Sequence, residues 1–424
     1  MSHRARKPLG RDTAIGGIIA VVGMFMTWVF GFGAVGRAHS TLTFDPVNLS
    51  GTVPWHLANL TVSSRWTDVV LGLLVVALGA EILWRRPRRW VTARLGLVAV
   101  FFFFALLIWA GRTHGPSQIN FVNVTSILVG AAAVAMVLIF GSLSGVLCER
   151  AGVVNIAIEG QFIGGVFFGA VIQSETNNWF YAGIGAAVVG ALLGSILAFL
   201  ALRYQSDQII VGVVIVTMMS GLSSYLNLQV LTPYPQYNAG NLAPNIAIPL
   251  LAKIPILGPV LFYESGFFYV MIVLVAVISF GLFKTRWGLR VRAVGEHPDA
   301  AAAVGINVIR TRYINVIMGG AVAGMGGVAL IAFAGQFTVG ITQGYGYIAL
   351  AGLIFGRWRP SGAVVAATIF GLSVYLADNL QTFQIPVPTE ILGMFPYVIT
   401  IAVVSGLIGR VRAPAADGLP YKRD

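Results

Sequence analysis

The chain has 424 residues, of which 57% are hydrophobic and 10% are charged, and its mean hydropathy is +0.84. This composition excludes an ordinary soluble domain and predicts an integral membrane protein, because several apolar runs approach the roughly 20 residues that cross a bilayer core. The formal net charge of +12 does not indicate a nucleic-acid partner, since the cations stand in short clusters between apolar runs. The single cysteine, Cys148, also excludes internal disulfides and thiolate metal clusters.

The first 120 residues are predicted to form an N-terminal extension with about three membrane spans. Apolar runs cover residues 13–36, 68–84 and 91–111. The first run follows a basic tail, as a signal peptide would, but it is longer than the roughly 7 to 15 residues of a signal-peptide core. We therefore expect the first run to remain as an uncleaved span.

The rest of the chain is predicted to add nine spanning or re-entrant segments, which makes about twelve in an all-α, polytopic fold. Their apolar cores are residues 121–147, 152–165, 179–202, 208–230, 266–283, 313–333, 345–356, 361–377 and 391–409. With both termini in the cytoplasm, all but four of the 27 Lys and Arg residues fall on the cytoplasmic side, as the positive-inside rule expects. The four exceptions are Arg37, Arg65, Arg112 and Lys253.

One of these segments, residues 345–356, is too short to cross the membrane. About 12 residues do not span a bilayer core at the helical rise, and the polar turn at 357–360 ends the segment. Short, interrupted segments of this kind line cavities rather than face lipid. We therefore expect residues 345–356 to border a transport path.

The segment GVVNIAIEGQFIGG, residues 152–165, carries polar residues within an apolar run. Asn155 and Glu159 are four residues apart, so we expect them to share one helix face. A carboxylate in a span is costly and usually faces a wet cavity or a partner, which predicts a place on the translocation path. The further candidates for this path are Gln161, Tyr345 and Tyr347. The alternative is structural: Glu159 caps an interrupted backbone or pairs with Arg150.

Residues 284–312 form a basic segment between two long apolar runs. Pro298 at a first helical position, Asp299 near the positive helix end and Gly305 as a stop predict a helix of two turns or fewer. So short a helix does not persist alone in water, and we expect it to press against another surface. The six cations of this segment are Lys284, Arg286, Arg290, Arg292, Arg310 and Arg312. The alternative is a solvated loop with a single helical turn.

The sequence contains no P-loop of the GxxxxGKS/T type, since none of its four lysines follows a glycine. The five histidines stand in predicted loops or tails, and Glu159 is almost the only acid deep in a span. A proton relay of acids and histidines is therefore missing, which counts against a proton-driven carrier. A sodium-coupled carrier that uses backbone and amide oxygens stays open. No catalytic constellation is visible, so we predict that the chain is not an enzyme and has no cofactor of its own.

Three stretches carry a resemblance to a known family. They are ERAGVVNIAIEGQFIGG at 149–165, GLRVRAVGEHPDAAAAVGINVIRTR at 288–312 and YGYIALAGLIFGRWRPSGAVVAATIFG at 345–371. Together they resemble permease subunits of ABC importers in the ribose, branched-chain amino acid and nucleoside group, and most of all the nucleoside branch. The resemblance runs from about residue 121 to 409, which implies a permease domain at 121–412 and a cytoplasmic tail at 413–424.

This resemblance implies a set of partners. The short helix in 284–312 would dock on a separate ABC ATPase subunit that binds the ATP. The docking residues would be Gly295, Glu296, Pro298, Ala301 and Gly305. A second permease, identical or similar, and an extracellular lipoprotein of the basic membrane protein type would complete the importer. That lipoprotein would dock at 231–265.

Under this interpretation the chain is a multi-pass protein of a bacterial plasma membrane that moves nucleosides inward. The alternative substrate is a simple sugar such as ribose, since sugar and nucleoside permeases share this motif layout. The alternative classes are an ion-coupled carrier or channel and, more distantly, a membrane scaffold.

Overall fold

The structure is a computed structural model that describes residues 11–32, 39–45, 55–85, 91–111, 121–383, 388–394 and 412–421. Within these ranges, nine helices are long and apolar enough to cross a membrane. This finding confirms a predominantly helical, multi-pass chain. The number of twelve segments and the cytoplasmic position of both termini stay predictions, and most of the predicted span at 391–409 lies outside the described residues.

The helices follow the apolar runs of the sequence. They are α1 (Arg11–Phe25), α2 (Ser64–Arg85), α3 (Val91–Ala110), α4 (Val124–Glu149), α5 (Ile158–Thr176), α6 (Trp179–Ala198), α7 (Gln208–Leu226), α8 (Leu257–Leu261), α9 (Gly266–Lys284), α10 (Arg286–Glu296), α11 (Pro298–Ala303), α12 (Val308–Ala334), α13 (Tyr345–Phe355), α14 (Pro360–Thr382) and α15 (Thr389–Gly393). Wider π-helical turns extend three of them, at Met26–Phe32, Phe199–Arg203 and Asn227–Leu231.

The chain forms two compact units. The first comprises residues 1–128 and 377–407, and the second comprises residues 129–376 and 408–424. Among its described residues, the first unit contains three short strands that the all-α expectation did not include: β1 (His39–Thr43), β2 (Leu60–Ser63) and β3 (Phe121–Asn123). Strand β1 pairs antiparallel with β2 and parallel with β3.

The second unit adds an antiparallel hairpin in the proline-rich stretch 231–265. Its strands are β4 (Asn245–Ala247) and β5 (Tyr263–Ser265), paired in the register Ile246 to Glu264. Short strands fit here because prolines and turns interrupt the sequence and leave no helical run. The hairpin ends where α9 begins.

The helices α5, α6 and α12 pack with backbone against backbone. A Cβ at Gly324 of α12 would overlap the carbonyl oxygen of Ala186, and a Cβ at Gly190 of α6 would overlap that of Gly320. Small residues such as the glycines at 319–327 permit this approach in membrane helices. The glycine seam, formed by these residues of α6 and α12, fixes the two helices against one another.

Helix α13 is a short internal piece, as its length predicted. It has 11 residues and follows a loop at 335–344. After it, Arg357 and Trp358 turn the chain with positive φ angles of 56° and 53°. Helix α14 then starts at Pro360, where proline suits a first helical position.

The basic segment 284–312 differs from the prediction in one respect, because it contains two helices instead of one. Besides the expected α11, residues of the assumed loop form α10 over 11 residues. Val291 and Val294 lie on its buried face, whereas Arg286 and Arg290 lie outside it. The spacing of the two valines is typical of a helix with one buried face, whereas the basic charge of the segment had suggested a loop. The helix is what the structure shows. Thr285 caps α10 through its hydroxyl, which accepts a hydrogen bond from Gly288 N at 3.2 Å.

Candidate functional site

A cavity of about 250 Å³ lies at the start of α13. It is bordered by α5, α7 and the loop 335–344. The lining residues are Glu159, Ile163, Val166, Val216, Ser220, Ser223, Phe337, Val339, Gly340, Ile341, Thr342, Gln343, Gly344 and Tyr347. An interrupted helix therefore opens onto a partly polar cavity, which is the arrangement predicted for a path.

Glu159 anchors the start of α13. Its Oε1 accepts hydrogen bonds from Thr342 Oγ1 at 2.6 Å and from Gly344 N at 3.1 Å. Its Oε2 accepts a third from Gly346 N at 2.6 Å. The first amides of a helix have no partner within the helix, and the helix dipole favours a negative charge there. The carboxylate of α5 thus caps a helix that lies more than 180 residues away in sequence.

The backbone directly before α13 adopts a left-handed conformation, which residues other than glycine rarely adopt. Gln343 and Gly344 have positive φ angles of 46° and 78°. At Gly346, a Cβ would lie 2.6 Å from the Cα of Glu159 and 2.8 Å from its Oε2. Glycine at 346 is therefore needed for α5 and α13 to approach closely enough to form these hydrogen bonds.

Of the two structural alternatives for Glu159, the structure shows the cap. The guanidinium of Arg150 points elsewhere, to the carbonyl oxygens of Trp358 at 2.8 Å and Arg357 at 3.3 Å. Arg150 therefore holds the turn after α13, whereas Glu159 holds the turn before it.

The expectation that Asn155 and Glu159 share a helix face is wrong. Helix α5 begins only at Ile158, so Asn155 belongs to the non-helical turn before it. Its side-chain amide donates to Ser144 Oγ at 3.2 Å and to Gln161 Oε1 at 3.1 Å. Asn155 and Gln161 have no exposed surface and are not among the residues that line the cavity.

The two predicted tyrosines have different surroundings. Tyr347 is 46% exposed and lines the cavity. Tyr345 is buried, with 5% of its surface exposed, and packs in the core. Of the five predicted path residues, Glu159 and Tyr347 thus meet at one cavity, and the other three are buried residues that do not line it.

Sequence reasoning missed four polar residues of the cavity, which are Ser220, Ser223, Thr342 and Gln343. Ser223 donates to the carbonyl oxygen of Ser220 at 3.1 Å, and Ser220 is exposed. The signal was available, because the run MMSGLSSY interrupts an apolar span with hydroxyl groups. Hydroxyls and an amide, next to the rings of Phe337 and Tyr347, suit a small polar solute that carries both hydroxyl groups and a ring.

The basic segment 284–312 presents a second candidate surface around α11. Pro298 occupies the predicted first position of α11, and Gly305 follows it with a φ of +85°. Ala301 is 3% exposed and packs between Val294 and Val308. The side chain of Ala301 therefore holds α11 in place from its packed side.

The exposed side of this segment is formed by other residues. Val304 is 76% exposed, and Glu296 is also exposed. Gly295 lies against the carbonyl oxygen of Arg150, which a Cβ at this position would overlap. Burial lowers the pKa of Arg150, and Glu296, 4.0 Å away, opposes this shift. The end of α10 is thus fixed tightly to the turn after α4.

Comparisons with known proteins agree that the chain is similar to transport permeases. Residues 127–404 match the family model described as branched-chain amino acid transport system / permease component. The chain is 36% identical over 315 residues to a nucleoside ABC transporter permease protein of Lactococcus lactis, a match that covers 71% of this chain and 98% of the relative. It is 38% identical over 324 residues to a guanosine ABC transporter permease protein of Bacillus subtilis, with the same coverage.

A third relative is a putative glucose ABC transporter permease protein of Haloferax volcanii. It is 31% identical over 319 residues, which cover 68% of this chain and 95% of the relative. No solved structure matches the chain.

Proposed function

Since the chain belongs to the family of branched-chain amino acid transport system permease components, we propose that it is the permease subunit of an ABC importer that carries nucleosides into the cell. The observation that carries this proposal is the similarity to nucleoside and guanosine permeases along 98% of their length. The chemistry of the cavity agrees with it. A nucleoside combines a planar base with a hydroxylated sugar, and the cavity offers aromatic rings beside hydroxyl and amide groups.

The cavity at Glu159 is proposed as one wall of the translocation path. Its volume of about 250 Å³ is below the roughly 300 to 1,000 Å³ of typical small-molecule pockets. A second permease, identical or similar, would supply the opposite wall. Tyr347 and Gln343, both exposed, would then face the substrate.

Helix α11 is proposed as the coupling helix, which docks on a separate ATPase subunit. The exposed residues on and beside it are Glu296 at the end of α10, Asp299 in α11 and Val304 directly after α11. ATP binding in the partner would shift α11 and thereby bias the importer between an outward-open and an inward-open state. The ATP is bound in that partner, and this chain would contribute movement only.

The proposed orientation places both termini and α11 in the cytoplasm of a bacterial cell. The distribution of Lys and Arg supports it, because only four of the 27 would lie outside. The hairpin β4–β5 and the proline-rich stretch around it would then face outward. An extracellular binding lipoprotein would dock there.

The test is uptake by cells with and without this chain, supplied with radiolabelled nucleosides, ribose and glucose. We expect nucleoside uptake that requires the chain and is lost on ATP depletion. Uptake that survives ATP depletion but collapses with the ion gradient would instead identify an ion-coupled carrier and contradict the proposal.

A simple sugar is the second candidate substrate. The relative with a glucose permease name favours it, at 31% identity over nearly its whole length. The same uptake experiment separates the two, because unlabelled ribose or glucose in excess would abolish uptake only in a sugar permease.

A further inference from the structure

The C-terminal residues 412–421, here named the tail segment, lie on the second unit beyond the end of the family match at residue 404. The tail segment contacts the end of α10, directly before α11. Ala416 N donates to the carbonyl oxygen of Gly295 at 2.9 Å. Ala415 N donates to Glu296 Oε2 at 3.2 Å. The backbone of the tail segment is therefore hydrogen-bonded to the last two residues of α10, which lie just before α11 in the sequence.

Arg312 binds the same segment from the other side of α11. Its side chain has no exposed surface, although it stands in the second turn of α12. Its Nη1 donates to the carbonyl oxygen of Leu419 at 2.9 Å, and its Nη2 donates to that of Ala416 at 3.5 Å. A buried guanidinium is costly unless hydrogen bonds replace its water. The tail segment supplies these acceptors.

The packing around Arg312 leaves no spare room. Gly152, in the turn after α4, has a φ of +85°, and a Cβ there would lie 2.9 Å from Arg312 Nη2 and 3.0 Å from Ala416 O. Asp417 is half-buried close by, and desolvation raises its pKa to about 7, against the opposing effects of Glu149 and Arg312. The turn after α4, the start of α12 and the tail segment thus meet at one point.

The tail segment also closes the small apolar cluster that holds α11. This cluster consists of Val294, Ala301 and Val308, and Tyr421 packs against it. These three residues come from α10, α11 and α12 in turn. The tail segment therefore contacts all the elements that determine where α11 sits.

We propose that the tail segment is a latch that positions α11, with Arg312 as its buried anchor. This inference rests on the proposed role of α11 as the coupling helix. With the latch in place, α11 moves together with the end of α10 and the start of α12, and its movement passes to the transport helices. Without it, α11 swings on its two short connections, and ATP hydrolysis continues without matching transport.

The first experiment compares two truncations of the full importer in lipid nanodiscs. One chain ends after residue 411 and lacks the tail segment, and the control chain ends after Tyr421 and lacks only the last three residues. We expect hydrogen exchange of the amides at 293–305 to rise about tenfold in the shorter chain, with no change in the control. Equal exchange in both truncations, or a rise that extends evenly to α5 and α6, would overturn the proposal.

Because this exchange is measured without any substrate, its result is independent of the substrate assignment. A latch effect with no nucleoside uptake would retain the latch and refute the nucleoside. Nucleoside uptake with no change in exchange would refute the latch alone.

The second experiment asks whether Arg312 acts through the tail segment. We expect Arg312→Met to lower the number of substrates moved per ATP by about tenfold, and Arg312→Lys, which keeps the charge and one donor nitrogen, to lower it less. Combined with the truncation, Arg312→Met should add nothing, since residues that act through one contact are not additive. Two effects that multiply, or an unchanged ratio in Arg312→Met, would show that Arg312 does not act through the latch.

Discussion

Two glutamates, Glu159 at the cavity and Glu264 in the β4–β5 hairpin, are buried to the same extent but differ in the hydrogen bonds that their carboxyl groups accept. Each has 5% of its surface exposed. The carboxylate of Glu159 accepts three hydrogen bonds, from a hydroxyl and two backbone amides. In the described part of the chain, Oε1 of Glu264 has no hydrogen-bond partner. Burial accordingly raises the pKa of Glu264 to about 8.

The difference teaches that depth alone does not tell what a buried carboxylate does. A charged group out of water is tolerated where fixed donors replace its hydration, and otherwise it takes up a proton. Glu159 has such donors because α13 starts beside it with free amides. Glu264 is held by a strand and has a single backbone donor, the amide of Ser265, while its Oε1 has none. We therefore expect the same substitution to reduce transport at Glu159 and to leave it unchanged at Glu264.

The largest effect is expected from Gly346→Ala, which would disrupt the contact between α13 and Glu159 at the cavity. The added Cβ would collide with the backbone of α5 at Glu159, and overpacking of this kind costs about 1 to 3 kcal/mol or more. Uptake should fall about a hundredfold in chains that still insert. The matched control is Gly221→Ala, where a Cβ meets nothing within 4 Å and uptake should stay normal. Equal loss in both variants would contradict the close approach of α5 and α13.

The exchange of Glu for Gln at both sites tests the comparison directly. In Glu159→Gln, one carboxylate oxygen becomes an NH₂ group that faces a donor, and an unsatisfied buried donor costs about 1 to 3 kcal/mol. We expect uptake to fall about tenfold or more. In Glu264→Gln, uptake at neutral pH should be unchanged, because a neutral amide replaces an acid that is already protonated. If both variants transported alike, the difference in donors would have no consequence.

The pH dependence of stability tests whether the carboxyl group of Glu264 is protonated in the folded chain. Because its pKa in the folded state is about 8, raised above the ordinary 4.5, the folded chain binds a proton that the unfolded chain releases. This site therefore loses stability as pH rises from about 4.5 to 8. Between pH 6 and 9, the thermal midpoint should fall less in Glu264→Gln than in the parent chain, by about 3 °C. Parallel midpoints in a thermal-shift series would argue against a protonated Glu264.

The smallest effect is expected from Ser220→Ala at the open side of the cavity. Ser220 offers a hydroxyl that is exposed, so its removal leaves no buried group unpaired. One lost hydrogen bond to substrate should raise KM about fivefold with kcat retained. Ser224→Ala is the control, because Ser224 donates to Ser220 O and lies outside the cavity lining. A KM that is the same in both variants would remove Ser220 from the substrate site.

The sequence was informative where one local rule governs the outcome. The length of residues 345–356 predicted α13 as an interrupted piece, and Pro298 and Gly305 predicted α11. For Glu159, its position in a span predicted a functional or a capping role, and the cap is what the structure shows. Its three donors come from residues 342–346 and depend on how α5 meets α13, which no pattern within the sequence encodes.

Failures arose where a periodic pattern competed with another local signal. Asn155 and Glu159 have helical spacing, but the chain turns at 156–157 and starts α5 afterwards. Arg286 and Arg290 made α10 resemble a loop, although its valines are spaced for a buried face. The tail segment offered no apolar run at all, so its contact with Arg312 became visible only in the structure.

The glycine seam limits where this molecule can bend. Helices α6 and α12 touch through carbonyl oxygens and Cα atoms, so sliding one along the other would force these atoms to overlap. The two helices must therefore move together as one rigid body. Helix α11 lies shortly before the first residue of α12, and the cavity loop 335–344 follows the last residue of α12. At the helical rise, the 27 residues of α12 measure about 40 Å, so a tilt of about 5° at one end displaces the other by about 3 Å. The seam thus makes α12 a lever arm that ends at the loop 335–344, where the glycines at 335, 340 and 344 have positive φ angles.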